Sequence, residues 1–149
     1  MLTQEMIAIL EKQRLGFVAT VSANGRPNLS PKGTFVVVNS TTIAFAEIRS
    51  PNTLKNLSTT PYVEVNFVDP LTRRGFRVSG TATIAPSGTD LYQQHQERFS
   101  QWATLAKRIR NIILIAAEET SLLTSPVYDD GATEAELRRQ WTEKLCGNE

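Results

Sequence analysis

A chain of 149 residues with 21% charged residues and a net charge of +1 is long enough for one domain with its own core. That balance argues against a general binder of nucleic acid or anionic membrane, whose affinity would rest on clustered lysine and arginine. The single cysteine, Cys146, cannot form an internal disulfide, and no segment approaches the roughly 20 apolar residues of a membrane span. We therefore expect a soluble protein of a reducing compartment, the cytoplasm.

Apolar residues that alternate with polar ones predict six strands, and residues that recur every three or four positions predict helices. The predicted strands are 16–22, 28–38, 42–47, 62–68, 76–84 and 111–119. The predicted helices are 3–13, a short one that begins at Ser50-Pro51, 88–107 and 133–145. Asn24-Gly25 is a strong hairpin signal, and no crossover helix separates the first three strands. The sequence predicts an α+β fold in a single domain over 1–149: a small, mostly antiparallel six-stranded barrel, closed or nearly closed, with flanking helices.

Polar residues share one face of the second predicted strand. Period-two alternation places them together at Asn28, Ser30, Lys32 and Thr34. A solvated strand face and a binding groove explain this pattern equally well. Pro31 lacks an N–H and is expected at an edge or irregularity, while Gly33 allows a backbone or a flat ligand to approach closely. These two residues favour the groove.

The stretch AEIRSPNTLKNL (46–57) combines a helix start with two cations. Ser50 is a good N-cap, and Pro51 fits the first helical position, where a missing N–H costs nothing. The helix start then offers free backbone amides and the positive end of the helix dipole, and Arg49 and Lys55 add positive charge. An ordinary capped helix with solvated cations is the alternative, slightly favoured by local evidence alone. The functional hypothesis is a phosphate-binding site.

The order of several segments adds to this hypothesis. They are ANGRPN, SPKGTF, AEIRSPNTLKNL and YVEVNFVD, followed by FRVSGTATI and SPVYDDGATEAEL. In this order they resemble the flavin-binding split-barrel family related to pyridoxamine 5′-phosphate oxidase, over nearly the whole chain. Each motif is loose, so the order carries more weight than any one of them. The resemblance implies a homodimer of split β-barrels with one FMN in each of two grooves at the interface.

Carried over position by position, the resemblance also implies a set of cofactor-binding residues. Residues 30–33 would line the ring and ribityl side, residues 47–49 would pass beside the ring largely with backbone atoms, and residues around the helix start would hold the phosphate. The implied residues are Ser30, Pro31, Lys32, Gly33, Glu47, Ile48, Arg49, Ser50, Thr53, Lys55 and Asn56. No catalytic residue is identified, and no spacing typical of a metal site occurs in the sequence.

Two departures of this sequence from the family pattern argue against a true pyridoxamine 5′-phosphate oxidase. Those enzymes carry an arginine five residues before the lysine of the second strand, where this chain has Pro27, with Arg26 one residue away. They also end in a basic, histidine-containing substrate segment, whereas the tail TEAELRRQWTEKLCGNE has no histidine. We therefore expect a different substrate.

Three other residues have plain structural interpretations. His95, the only histidine of the sequence, lies on the apolar face of its predicted helix and is interpreted as a packed or interface residue. Trp102 and Trp141 are interpreted as core or interface residues, with stacking of Trp141 near a partner's flavin as the alternative.

Four functions are compatible with the sequence. The first is an FMN-dependent oxidoreductase of unknown substrate, with NAD(P)H or a small molecule as its partner and no nucleic-acid or membrane partner. The second is a flavin-binding carrier, redox sensor or stress-response protein without turnover. The third keeps the barrel but binds deazaflavin F420 or haem, and the fourth is a structural dimer without a cofactor. A single phosphate-binding site fits FMN most simply.

Overall fold

The hairpin predicted at Asn24-Gly25 is present and starts the sheet. Gly25 has φ +82°, a left-handed conformation that glycine adopts without a steric penalty. The Gly25 N–H donates to the carbonyl of Ser22 at 2.9 Å, and the Ser22 N–H donates to the carbonyl of Arg26 at 2.9 Å. This turn fixes the register of the two strands that it joins.

A computed structural model describes residues 1–147, which form one antiparallel seven-stranded sheet with four α-helices and short 3-10 turns. The strands are β1 (Gly16–Val21), β2 (Pro27–Lys32), β3 (Val36–Asn39), β4 (Thr42–Glu47), β5 (Tyr62–Asp69), β6 (Arg74–Pro86) and β7 (Asn111–Thr124). The helices are α1 (Gln4–Gln13), α2 (Pro51–Thr59), α3 (Asp90–His95) and α4 (Glu134–Cys146). The strand order is β2-β1-β5-β6-β7-β4-β3. Among these residues, no helix combines the length and apolar character needed to cross a bilayer.

The prediction of a single strand over 28–38 is wrong. The segment breaks at residues 33–35 into β2 and β3, which lie at opposite edges of the sheet. Thr34 leaves the strand because its hydroxyl binds the backbone of Ala46, accepting from the N–H at 3.0 Å and donating to the carbonyl at 3.1 Å. Phe35 turns into the core. The polar face therefore ends at Lys32, and the sheet has seven strands instead of six.

The three residues between the two edge strands require the sheet to roll up. Seven strands in a flat sheet would hold the two edges about 29 Å apart at about 4.8 Å per strand. The chain from Lys32 to Val36 reaches at most about 14 Å. The edges therefore approach each other, but no strand pairing joins β2 to β3 in the described part of the chain. The α+β class is confirmed, and the barrel is open, in the manner of a split barrel.

Apolar side chains fill the inside of the rolled sheet. Its centre is a group of fully buried aromatic rings with centroids 4.8 to 5.1 Å apart: Phe35, Phe45, Phe67 and Phe76. Val63 and Val65 point inward beside Phe67, as the alternation predicts. Helix α1 packs Met6 and Leu10 against the same core. Burial of each large side chain is worth about 1.5–3 kcal/mol, so this core dominates the stability of the barrel.

A second apolar cluster covers the other face of β3, β4 and β7. Tyr92, Phe99 and Ile109 pack there against strand residues such as Ala46 and Ile112. The prediction of one helix over 88–107 is wrong, because α3 has six residues and 3-10 turns follow at Gln96–Trp102 and Ala106–Arg108. Packing on the sheet here outweighs the helical periodicity of the sequence.

Helix α4 begins at the predicted capping box. The Glu136 N–H donates to the Thr133 hydroxyl at 3.2 Å, and the Thr133 N–H donates to the Glu136 carboxylate at 3.1 Å. The predicted apolar stripe is only partly used, because Leu137 is buried while Leu145 is 57% exposed. Trp141 is half-buried, with the Arg73 guanidinium carbon 3.3 Å from its ring centroid. This cation–π contact ties α4 to the β5–β6 turn.

Candidate functional site

Two cavities flank the start of α2, where it meets β2. Cavity A, of about 340 Å³, is lined by residues 31–34, by Ala46 and 48–50, and by Trp102 and Leu105. Cavity B, of about 550 Å³, is lined by residues 22–24 and 26–28 of the first hairpin and by one face of α2. That face consists of Asn52, Lys55, Asn56 and Thr59. The two cavities thus sit at opposite ends of β2, with Ser50 lining A and Asn52 lining B.

The predicted site residues divide between the two cavities. Cavity A receives Pro31, Lys32, Gly33, Ile48, Arg49 and Ser50. Cavity B receives Lys55 and Asn56. Three predicted residues line neither cavity: Glu47 and Thr53 are buried, and Ser30 lies half-buried on β2 between the residues that line the two cavities.

The polar face of β2 turns toward the opening of the barrel. Ser30 pairs directly with Val18 of β1, and Asn28 pairs directly with Thr20. Residues opposite each other in a ladder point to the same face, and both partners on β1 are buried. Leu29, which pairs with Ala19, therefore points outward and is 68% exposed. Of this polar face, Asn28 lines cavity B and Lys32 lines cavity A, while Ser30 lies between them.

A buried carboxylate organises the corner between β4 and α2. Glu47 is 1% exposed, and its two oxygens accept from the Ser50 N–H at 2.7 Å and from the Asn111 side-chain amide at 2.8 Å. The Ser50 hydroxyl accepts from the Lys32 ammonium. Ser50 occupies the predicted N-cap position, but its side chain makes no capping bond to the helix. The Ser50 side chain thus leaves the first amides of α2 uncapped.

A second buried polar contact fixes the orientation of α2. The Asn56 side-chain amide donates to the Thr20 hydroxyl at 3.0 Å, and both side chains are buried. Because this contact holds one helix face against β1, the neighbouring Lys55 projects outward at cavity B, where it is exposed. Asn56 therefore has a structural role in addition to lining the cavity.

Both cavities are electropositive. Their lining includes four cations, Arg26, Lys32, Arg49 and Lys55, and no acidic residue. Within residues 1–147 none of the four forms an ion pair. With the positive end of α2 between the cavities, this arrangement suits an anionic group. In the same part of the chain, no group of three or more His, Cys, Asp or Glu side chains is placed to hold a metal ion.

Sequence reasoning missed the contribution of Trp102 and Leu105 to cavity A. Both fall within the predicted helix 88–107, and of the two only Trp102 is singled out, as a core or interface residue. They instead lie three residues apart across a tight turn, in which the Leu105 N–H donates to the Trp102 carbonyl at 2.8 Å. No local signal places this turn beside β2, since the cavity forms only when the outer cluster packs on the sheet. Arg26, which stands one residue away from the position at which pyridoxamine 5′-phosphate oxidases carry an arginine, lines cavity B.

The chain matches the family model described as pyridoxamine 5′-phosphate oxidase over residues 2–123. Comparison with curated protein sequences finds no match. The crystal structure of HupZ from Group A Streptococcus is 31% identical, with a TM-score of 0.71 over 84% of this chain and 96% of that chain. A protein named F420 reductase is 22% identical, with a TM-score of 0.62 over 80% and 98% of the two chains. An FMN-binding protein from Syntrophomonas wolfei is 16% identical, with a TM-score of 0.63 over 81% and 90%.

An open, rolled antiparallel sheet, with two cationic cavities at the ends of one edge strand, has the architecture of a split barrel. The family match extends over most of the chain, and the resemblance drawn from the segment order is confirmed. The chain belongs to the pyridoxamine 5′-phosphate oxidase-related split-barrel family, whose members bind flavins.

The Lys32 ammonium is expected to lose its proton below the ordinary lysine pKa of 10.5. Burial lowers the pKa of Lys32, and the charge of Glu47 offsets only part of that effect. Glu47→Gln should therefore lower the Lys32 pKa further, as measured by NMR titration of labelled lysine side chains. Glu64→Gln, which removes an exposed carboxylate that lines neither cavity, is the matched control.

The lowered pKa of Lys32 also determines how the free energy of unfolding changes with pH. Between the lowered pKa of Lys32 and 10.5, the unfolded chain binds more protons at this position than the folded chain. The contribution of Lys32 to the free energy of unfolding therefore increases with pH across that window, and Lys32→Met should remove the increase. A Lys32 pKa at or above 10.5, or one that rises in Glu47→Gln, would contradict this account.

Proposed function

We propose that this protein binds FMN, with the flavin ring in cavity A and the phosphate at the start of α2. The observation that supports this is a pair of cavities at the two ends of β2 that are lined by four cations and by no acidic residue. The N-terminus of α2 lies between the two cavities. β2 has six residues, and its ends lie about 17 Å apart at about 3.3 Å per residue. An elongated ligand with a flat apolar end and an anionic end matches this layout.

The side chains of each cavity suit a different part of FMN. Pro31, Ile48 and Leu105 give cavity A an apolar lining that excludes water from a ring system, and Lys32 supplies a hydrogen-bond donor beside it. Arg49 and Lys55 stand on the two sides of the α2 start, where they would hold the phosphate with the helix amides. The bound flavin would supply hydride or electron transfer, and the chain would supply binding, orientation and charge.

The F420 reductase among the structural neighbours keeps deazaflavin F420 as a second candidate cofactor. Haem is less suited to this site because His95, the only histidine of the chain, lines neither cavity. A true pyridoxamine 5′-phosphate oxidase stays disfavoured, since Pro27 stands where those enzymes have an arginine. The exposed free thiol of Cys146 suits the reducing environment of the cytoplasm.

A second copy of the chain is the partner that we propose for the outer face of β1, β2 and β5. This face exposes Phe17, Val21 and Leu29, which are apolar residues 38% to 68% exposed. Glu64 and Arg77 lie on the same face, 4.0 Å apart. Because these two charges pair with each other, the face presents an apolar patch beside a neutralised ion pair, which the same face of a second copy could cover about a two-fold axis. Because β2 also borders both cavities, such an interface would bring the second copy close to the cofactor.

The homodimer is tested by light scattering in solution. The wild-type protein should have the mass of two chains, and Leu29→Glu should have the mass of one chain because a charge would be buried at the interface. Leu145→Glu, on an exposed position of α4, should remain a dimer. A monomeric wild-type protein would exclude the proposed partner.

Cofactor binding is tested by titration with FMN and with riboflavin, which lacks the phosphate. Wild-type protein should prefer FMN, and Arg49→Ala or Lys55→Ala should each raise the Kd for FMN about tenfold, the lower end for a charge-assisted hydrogen bond. The Kd for riboflavin should change little. Arg139→Ala, on α4 and outside both cavities, is the control. Unchanged FMN affinity in the double variant Arg49→Ala/Lys55→Ala would refute this site assignment.

Oxidoreductase activity is the function that we propose for the bound flavin. Anaerobic addition of NADH or NADPH to the FMN-loaded protein should bleach the visible flavin absorbance, and an electron acceptor should restore it. Tight FMN binding without bleaching by either nucleotide would instead favour a carrier or sensor without turnover.

A further inference from the structure

We propose that Trp102 is a cofactor-binding residue, the aromatic wall against which a flat ring system lies in cavity A. No pattern in the sequence assigns it this role. The inference rests on the proposed function, since it concerns the same cavity. In this role, Trp102 would favour flat aromatic ligands over other classes of ligand in cavity A.

The position and chemistry of Trp102 carry the inference. Among the residues that line cavities A and B, it is the only aromatic one. It belongs to the apolar side of cavity A together with Ile48 and Leu105, whereas Lys32 and Arg49 provide the charge. A half-buried indole offers a large flat apolar surface, which favours offset stacking on another aromatic ring system over contact with a sugar or an aliphatic chain.

Neighbouring residues hold the indole in place. Its ring centroid lies 6.1 Å from that of the buried Phe99. The Arg14 guanidinium carbon lies 5.8 Å from the Trp102 ring centroid, and the same guanidinium donates to the Phe35 carbonyl at 3.0 Å. Arg14 therefore links the Trp102 ring to the backbone of the segment that joins β2 and β3. A ring held by two such neighbours loses little conformational entropy when a ligand stacks on it.

Contact between an indole and a flavin ring has a specific optical consequence. An indole at contact distance donates an electron to the excited flavin, and the electron returns without emission of light. The fluorescence of the bound flavin is therefore quenched. Phenylalanine fills similar space but is too poor an electron donor to do this. Trp102→Phe thus separates the stacking contact from the packing of the outer cluster.

The experiment measures the fluorescence and the Kd of bound FMN in wild-type protein, Trp102→Phe, Trp102→Leu and Trp141→Phe. In wild-type protein, bound FMN should be strongly quenched. Trp102→Phe should recover flavin fluorescence severalfold with little change in Kd. Trp102→Leu should also raise the Kd about 2- to 12-fold, the range for loss of an aromatic pair. Trp141→Phe, which changes the second tryptophan of the chain, should behave like wild type.

The possible failures are distinguishable. Quenched flavin and wild-type Kd in both Trp102 variants would overturn the assignment of Trp102 while leaving FMN binding intact. Recovery of fluorescence in Trp141→Phe instead would transfer the stacking role to Trp141 and refute the inference. If wild-type protein binds no FMN, the proposed function itself fails, and this inference fails with it. Trp102→Phe keeps the test valid if Trp102→Leu does not fold.

Discussion

The short link between β2 and β3 is the constraint on which the rest of the molecule depends. Three residues, 33–35, carry the chain from one edge of a seven-stranded sheet to the other. The sheet must roll to allow this, and rolling creates both the aromatic core and the opening beside β2. The hydrogen bonds between Thr34 and Ala46 hold the link in place. Core and groove are therefore consequences of one connection.

Much of the fold could be predicted because local patterns and tertiary packing agree. The Asn24-Gly25 turn, the inward set of Val63 and Val65, and the Thr133 capping box all follow from rules that act within a few residues. The errors arise where distant contacts outweigh local pattern. The break at Thr34 depends on the backbone of Ala46, and the irregular segment after α3 follows the surface on which Phe99 packs.

The candidate site was predicted in its parts but not in its arrangement. The segment order and helix start point to Lys32, Arg49 and Lys55; the structure places the first two at cavity A and Lys55 at cavity B. Sequence could not show that the Ser50 hydroxyl binds Lys32 instead of capping α2, because that depends on where Glu47 is buried. Contacts between residues distant in sequence determine which predicted groups line the cavities and which hold the fold together.

The two prolines of β2 have a consequence for how chains meet one another. In the ladder with β1, residues 27, 29 and 31 direct their backbone nitrogens away from the partner strand, toward the free edge of the sheet. Pro27 and Pro31 have no hydrogen there, so Leu29 is left with the single donor along this edge. An incoming strand would find too few bonds to extend the sheet. β2 can thus carry an apolar side chain beside a free edge without templating the edge-to-edge stacking that leads to fibrils.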